Sequence, residues 1–124
     1  MEPVLMMQTA TGLLAVSAAG GLIMAAIRFS GAPRPPTWLV MLHGFLSAAA
    51  LTLLIYAFFS FKLPGMAQLA LVLLLVAAAG GAFMNLNFHS KLLPLPKWLV
   101  LVHAAIAVCG FLLLIIATWK ATQA

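Results

Sequence analysis

Acidic side chains are almost missing from this chain: Glu2 is the only one, and there is no aspartate. Chemistry that depends on paired carboxylates, on a carboxylate-rich cation site or on a carboxylate-driven proton exchange therefore lacks its essential groups. Cysteine is equally scarce, because Cys109 stands alone, so neither an intramolecular disulfide nor a cysteine metal cluster can form. The sequence has neither a Ser-His-Asp arrangement nor a phosphate-binding glycine loop, so it does not indicate a hydrolase or a nucleotide-dependent pump.

Charged residues of either sign make up only 6% of the 124 residues, whereas 66% are hydrophobic. A soluble domain of this size has no interior large enough for so much apolar surface. Four apolar stretches, at about 4–29, 37–61, 66–88 and 97–119, each exceed the roughly 20 residues that cross a bilayer as a helix. They are rich in Leu, Ala and Gly without strand-like alternation, so we predict an all-α integral membrane protein surrounded by lipid.

The six cations do not form a nucleic-acid-binding patch, because they are dispersed along the chain. Four of them flank the first and third connections between spans: Arg28, Arg34, Lys91 and Lys97. The positive-inside rule then places these two loops in the cytoplasm and both termini outside. We expect such a protein in a bacterial inner membrane.

The second half of the sequence repeats the first with a shift of 60 residues. Residues 6–57 align with 66–117 without a gap, and 21 of the 52 positions are identical. The pattern predicts two helical hairpins, 1–62 and 63–124, that form one domain and are related by a pseudo-twofold axis along the membrane normal. A short Pro-Gly turn at 64–65 favours an up-down-up-down four-helix bundle.

The repeat pairs two histidines, His43 and His103, which lie five residues after the interfacial Trp38 and Trp98. Five helical residues place each imidazole about 7–8 Å below the interface. Helices 2 and 4 are diagonal in such a bundle, roughly 11–14 Å apart, which we expect to be too far for direct contact between the imidazoles. That gap suits a haem b held by two axial histidines, since bundle cores host such cofactors.

Residues around the histidines fit the same cofactor. Two glycine pairs lie at a similar depth on helices 1 and 3 and are expected to let a porphyrin edge approach the backbone: Gly20, Gly21, Gly80 and Gly81. Cations at the same membrane face are expected to pair with the haem propionates: Arg28, Arg34, Lys91 and Lys97.

Three residues near the end of helix 3 add polarity to the second repeat only. Asn85, Asn87 and His89 replace apolar counterparts at the cytoplasmic end of helix 3. We expect a quinone head group or a proton-carrying site there. The alternatives are simple solvation of a helix end, and His89 as a competing ligand.

Paired transmembrane histidines, nearby glycines and basic residues at one end resemble the constellation of membrane b-type cytochromes in general. The resemblance implies an electron carrier that acts with quinone or a redox partner protein, an oxidoreductase if it is an enzyme. The alternative is a small multi-pass transporter, or an accessory or assembly protein without a redox cofactor, whose glycine faces pack against a partner or in a homodimer. Copper bound by the histidines with Met24 and Met84 is a weaker alternative, because methionine is ordinary core filler.

Overall fold

The computed structural model describes residues 2–124, and all regular structure in that range is helical. The four helices are α1 (Pro3–Phe29), α2 (Thr37–Ser60), α3 (Gly65–Met84) and α4 (Lys97–Gln123). A π-helical turn, Asn85–His89, prolongs α3. All four helices are long and apolar enough to cross a membrane, which confirms the predicted all-helical fold with four candidate spans.

Proline defines where three of the helices begin. Pro36, Pro64 and Pro96 are the residues that immediately precede α2, α3 and α4, and each has a φ near −60°. Proline lacks an N–H and has this φ by its ring, so it fits a helix start without losing a hydrogen bond. The helix starts predicted from the sequence therefore agree with the structure within one residue.

Each helix packs against two others. α1 contacts α2 and α4, and α3 contacts α4 and α2, with the closest association inside each hairpin. Between residues 2 and 124, no Cα of α1 lies within 8 Å of α3, and none of α2 lies within 8 Å of α4. The histidine-bearing helices are therefore not backbone neighbours.

The hydrophobic core occupies the half of the molecule that contains the termini and the α2–α3 connection. Leu54 and Leu114 are completely buried at its centre, and small side chains such as Ala10 and Ala70 are buried around them. Small residues let apolar helices approach closely, which strengthens dispersion contacts in a membrane where the hydrophobic effect between helices is weak.

The half that carries the histidines is filled less completely. No side chain is buried over residues 18–29 of α1, 40–49 of α2, 78–83 of α3 or 97–109 of α4. Beyond this layer the interior closes again at Leu39, Met84, His89 and Leu95. The histidines thus lie in a loosely filled layer between two closed ones.

Candidate functional site

His43 and His103 face each other across this layer. Their ring centroids are 6.3 Å apart and their planes are inclined at 74°. The expectation that the two imidazoles would be too far apart for direct contact is wrong. It considered the separation of the helices, but both side chains extend into the space between α2 and α4, where their ring planes are steeply inclined to each other.

Both imidazoles are held in the same way by the neighbouring helix. His43 Nδ1 lies 2.8 Å from the carbonyl oxygen of Ser17, and His103 Nδ1 lies 2.8 Å from that of Ala77. A carbonyl oxygen only accepts hydrogen bonds, so Nδ1 carries the proton in each ring. In the neutral ring the lone pair is then on Nε2, the nitrogen that remains to bind a metal.

Neither Nε2 has a hydrogen-bond partner among residues 2–124. No buried side-chain nitrogen in the described chain lacks a partner, so both Nε2 atoms retain accessible surface. A polar nitrogen without a partner is costly in apolar surroundings. An Nδ1–H bonded to a backbone carbonyl, with Nε2 free, is the arrangement of a metal-binding histidine.

The spacing of the rings also fits a single metal. A metal–imidazole bond of about 2.0 Å and a ring radius of about 1.1 Å place the centroids of two rings on opposite sides of one metal about 6.2 Å apart. The observed separation is 6.3 Å. The centroid separation therefore matches that of two imidazoles bound to one metal.

The glycine pairs provide the space in which each imidazole lies. A Cβ on Gly21 would be 3.1 Å from His43 Cε1, and a Cβ on Gly81 would be 3.2 Å from His103 Cε1. Gly20 and Gly80 border the same side chains at 3.8 Å or more. The nearest neighbour of each pair is thus the histidine of its own hairpin. The porphyrin edge expected beside these glycines stays a prediction.

A pair of hydroxyl groups distinguishes the two histidines. Ser17 Oγ is 3.0 Å from His43 Nδ1 and 2.6 Å from Ser47 Oγ. The corresponding residues beside His103 are Ala77 and Ala107, so the second hairpin has no such pair. The sequence analysis did not identify Ser17. The available signal was a hydroxyl residue three positions before Gly20, on the helix face that carries the glycine pair.

The basic residues join the two loops at this end of the molecule. Arg28 Nε donates to the carbonyl of Leu95 at 2.7 Å, and Arg34 Nη1 donates to that of Leu92 at 2.6 Å. Each guanidinium has five N–H groups, so both retain donors for an anion. Lys97 Nζ lies 5.5 Å from the centroid of the Phe29 ring.

No acidic side chain neutralises this cationic end. Glu2, the sole carboxylate side chain, precedes α1 at the opposite end of that helix. The guanidinium groups of Arg28 and Arg34 bond carbonyl oxygens, which leaves their positive charge in place. This end therefore attracts an anionic group.

His89 is buried in the π-helical turn, and its Nε2 lies 3.1 Å from the carbonyl oxygen of Pro35. It fastens the end of α3 to the first loop, whereas Asn87 Nδ2 bonds its own helix at Phe83 O. Asn85 is half-buried and adjoins Met84. The structure thus brings His43 and His103 together and engages His89 elsewhere.

Two grooves are the other candidate sites in the described part of the chain. Over residues 2–124 there is no group of three or more His, Cys, Asp or Glu side chains placed to hold a metal ion. A groove of about 230 Å³ lies between α3 and α4, and its lining includes Gly80 and His103. A larger apolar groove of about 490 Å³, bordered by Phe58 and Gln68, lies far from the histidines.

No protein-family model, curated protein or solved structure matches this chain. A functional assignment therefore depends on the geometry of the histidine layer.

Proposed function

We propose that this protein is a membrane-embedded b-type haem protein in which His43 and His103 are the axial ligands of one haem b. The observation that carries the proposal is the 6.3 Å separation of two imidazoles that both have Nδ1 bonded to a carbonyl. Bound between them, haem iron supplies one-electron chemistry. The carbonyls of Ser17 and Ala77 orient the rings. Their hydrogen bonds from Nδ1–H also make each Nε2 a stronger electron-pair donor to the metal.

The surroundings support the same cofactor. No residue of the layer that holds both rings is buried, and Gly20, Gly21, Gly80 and Gly81, which have no side chains, border the imidazoles. Arg28, Arg34 and Lys97 lie toward the loops, where propionates meet cations and water. Lys91 adds a fourth cation to this end.

The repeat supports a symmetric assembly around the haem. Each histidine is bonded to a carbonyl 26 residues earlier in the chain, and the two bonds have the same length. We infer that hairpins 1–62 and 63–124 are parallel repeats related by a pseudo-twofold axis along the membrane normal. The helices then form an up-down-up-down bundle, with α2 and α4 diagonal.

We propose an electron carrier that exchanges electrons with quinone or a redox protein at the cytoplasmic side of a bacterial inner membrane. The haem lies near the loops, so a partner or a homodimer is needed to carry electrons over the full membrane. Asn85 is the polar side chain best suited to a quinone head group, because it is half-buried and on the haem side of His89. His89 donates a hydrogen bond to the carbonyl of Pro35, so its role in the proposal is to hold the end of α3 against the first loop.

The test is an absorption spectrum of the detergent-purified protein, oxidised and then reduced with dithionite, after expression with ample haem. We expect sharp reduced haem bands in the wild type and in the control His89→Ala, and their loss in both His43→Ala and His103→Ala. A colourless wild type would contradict the proposal. Metal analysis of the same samples separates haem iron from the copper alternative.

A further inference from the structure

The two imidazoles differ in what surrounds Nδ1. In His43, Nδ1 lies within hydrogen-bond distance of two oxygens of Ser17, the carbonyl at 2.8 Å and the hydroxyl at 3.0 Å. In His103, the carbonyl of Ala77 at 2.8 Å is the only hydrogen-bond partner of Nδ1 among residues 2–124. The two repeats therefore differ in how they hold Nδ1.

The Ser17 hydroxyl is itself fixed in place. It is buried, with 2% of its surface exposed, and it lies 2.6 Å from Ser47 Oγ and 3.1 Å from the carbonyl oxygen of His43. Because the carbonyl of Ser17 can only accept a hydrogen bond, Nδ1 carries the proton, and the Ser17 hydroxyl also accepts from Nδ1–H. The hydroxyl then donates its own proton to Ser47 Oγ or to the carbonyl of His43. A hydroxyl that donates onward is a better acceptor, because linked hydrogen bonds polarise one another.

Stronger hydrogen bonding at Nδ1–H moves electron density toward Nε2. A more electron-rich axial ligand stabilises the ferric state more than the ferrous state, and hydrogen bonding around the ligands is one of the ways in which a protein sets a haem potential. The two hairpins therefore present unequal ligands to one metal.

We propose that the Ser17–Ser47 hydroxyl pair makes His43 the more electron-donating imidazole and thereby lowers the reduction potential of the haem. The proposal rests on the haem assignment above. Ser17 and Ser47 are positioning residues, since they act through His43.

The repeat supplies matched variants for a potentiometric titration. Ser17→Ala with Ser47→Ala gives the first hairpin the residues of the second, and we expect it to favour the reduced state by up to about tenfold, about 59 mV for one electron. Ala77→Ser with Ala107→Ser makes the reverse exchange, and we expect a shift of opposite sign. Thr52→Ala is the control, because Thr52 bonds only to Ala48 of its own helix.

A second measurement uses haem-free protein with ¹⁵N-labelled histidine. We expect the Nδ1–H proton of His43 to resonate downfield of that of His103, and to lose this offset in the Ser17→Ala, Ser47→Ala variant. Reduction potentials that shift with the same sign in both exchanged variants, or that do not shift in either, would overturn the proposal that the hydroxyl pair lowers the potential. A protein that binds no haem overturns that role together with the proposed function, while the resonances still decide whether the hydroxyl pair polarises His43.

Discussion

Single residues determine how each imidazole lies in this molecule. The repeat alone predicted that His43 and His103 belong together, because rare residues at equal positions of two hairpins reach the same depth. The sequence did not predict that Gly21 and Gly81 contact the histidines of their own hairpins. That contact depends on the rotation of α1 against α2 and of α3 against α4, which periodicity in a uniformly apolar helix does not define.

A methyl group at Gly21 or Gly81 tests this contact. The added Cβ would meet His43 or His103 at 3.1 or 3.2 Å, so the imidazole has to move. We expect Gly21→Ala and Gly81→Ala each to lower the free energy of unfolding in detergent by about 1–3 kcal/mol. The same variants are expected to lower haem occupancy, measured from the reduced spectrum.

Gly44→Ala is the matched control. Gly44 adjoins His43, but a Cβ there has no atom within 4 Å, and its repeat counterpart is already Ala104. Alanine is the better helix former by up to about 1 kcal/mol, so we expect equal or higher stability with haem retained. Equal losses in Gly44→Ala and Gly21→Ala would show that the close contact with the imidazole is not what makes Gly21 sensitive.

The helix starts were predictable because proline and long apolar runs define them locally, whereas α4 continues to Gln123, four residues past its predicted end at 119. The packing inside a hairpin was not predictable, as Gly110 shows. It is buried, and a Cβ there would lie 3.0 Å from Leu74 Cγ and 3.2 Å from Leu73 Cβ, whereas its repeat counterpart Ala50 is accommodated. The α3–α4 pair is therefore closer at this point than its resemblance to α1–α2 suggests.

Gly110→Ala should accordingly destabilise the α3–α4 hairpin by about 1–3 kcal/mol through overpacking. Gly12→Ala is the comparison, because a Cβ on Gly12 meets nothing within 4 Å. Thermal unfolding in detergent measures both. Unchanged stability in Gly110→Ala would mean that Leu73 and Leu74 move aside at little cost.

The loop contacts were also beyond prediction, since Arg28 and Arg34 each donate to a carbonyl of the other hairpin. Leu92 has a φ of 58°, a conformation unfavourable for leucine, and its carbonyl accepts from Arg34. Leu95 donates its N–H to the carbonyl of Pro33 and accepts from Arg28. Cationic donors thus hold the two loops together.

Arg28→Gln should release this connection. A charged hydrogen bond contributes about 1.5–3 kcal/mol, so protection of the Leu95 amide against hydrogen exchange should fall about 10- to 100-fold. Lys62→Gln, in the loop at the opposite end, serves as the control. Unaltered protection of Leu95 in Arg28→Gln would show that the Pro33 contact persists without the guanidinium.

The molecule as a whole has two halves of different character, a closed core near the termini and a loosely filled layer near the basic loops. Composition and span length predicted the helices and their membrane environment, because these depend on length and hydropathy alone. The distance between the imidazoles was predicted wrongly, because it depends on side-chain direction across the bundle and not on helix spacing.

The orientation of the molecule in the membrane is testable with two exposed serines, one at each end. In a Cys109→Ala background, Ser30→Cys and Ser60→Cys place thiols at exposed positions at opposite ends of the molecule. The basic loops are expected in the cytoplasm, so a membrane-impermeant thiol reagent added outside intact cells should label Ser60→Cys and spare Ser30→Cys. The reverse labelling would place His43 and His103 near the outer face.

Low-temperature electron paramagnetic resonance of the oxidised, purified protein tests whether the two histidines ligate one haem. Imidazole planes inclined at 74° interact with different iron d orbitals and leave them nearly equal in energy. The account therefore predicts a low-spin ferric signal of high anisotropy. A high-spin signal, or no ferric haem signal at all, would contradict bis-histidine ligation by His43 and His103. A rhombic low-spin signal of the kind given by parallel rings would contradict the ring geometry described above.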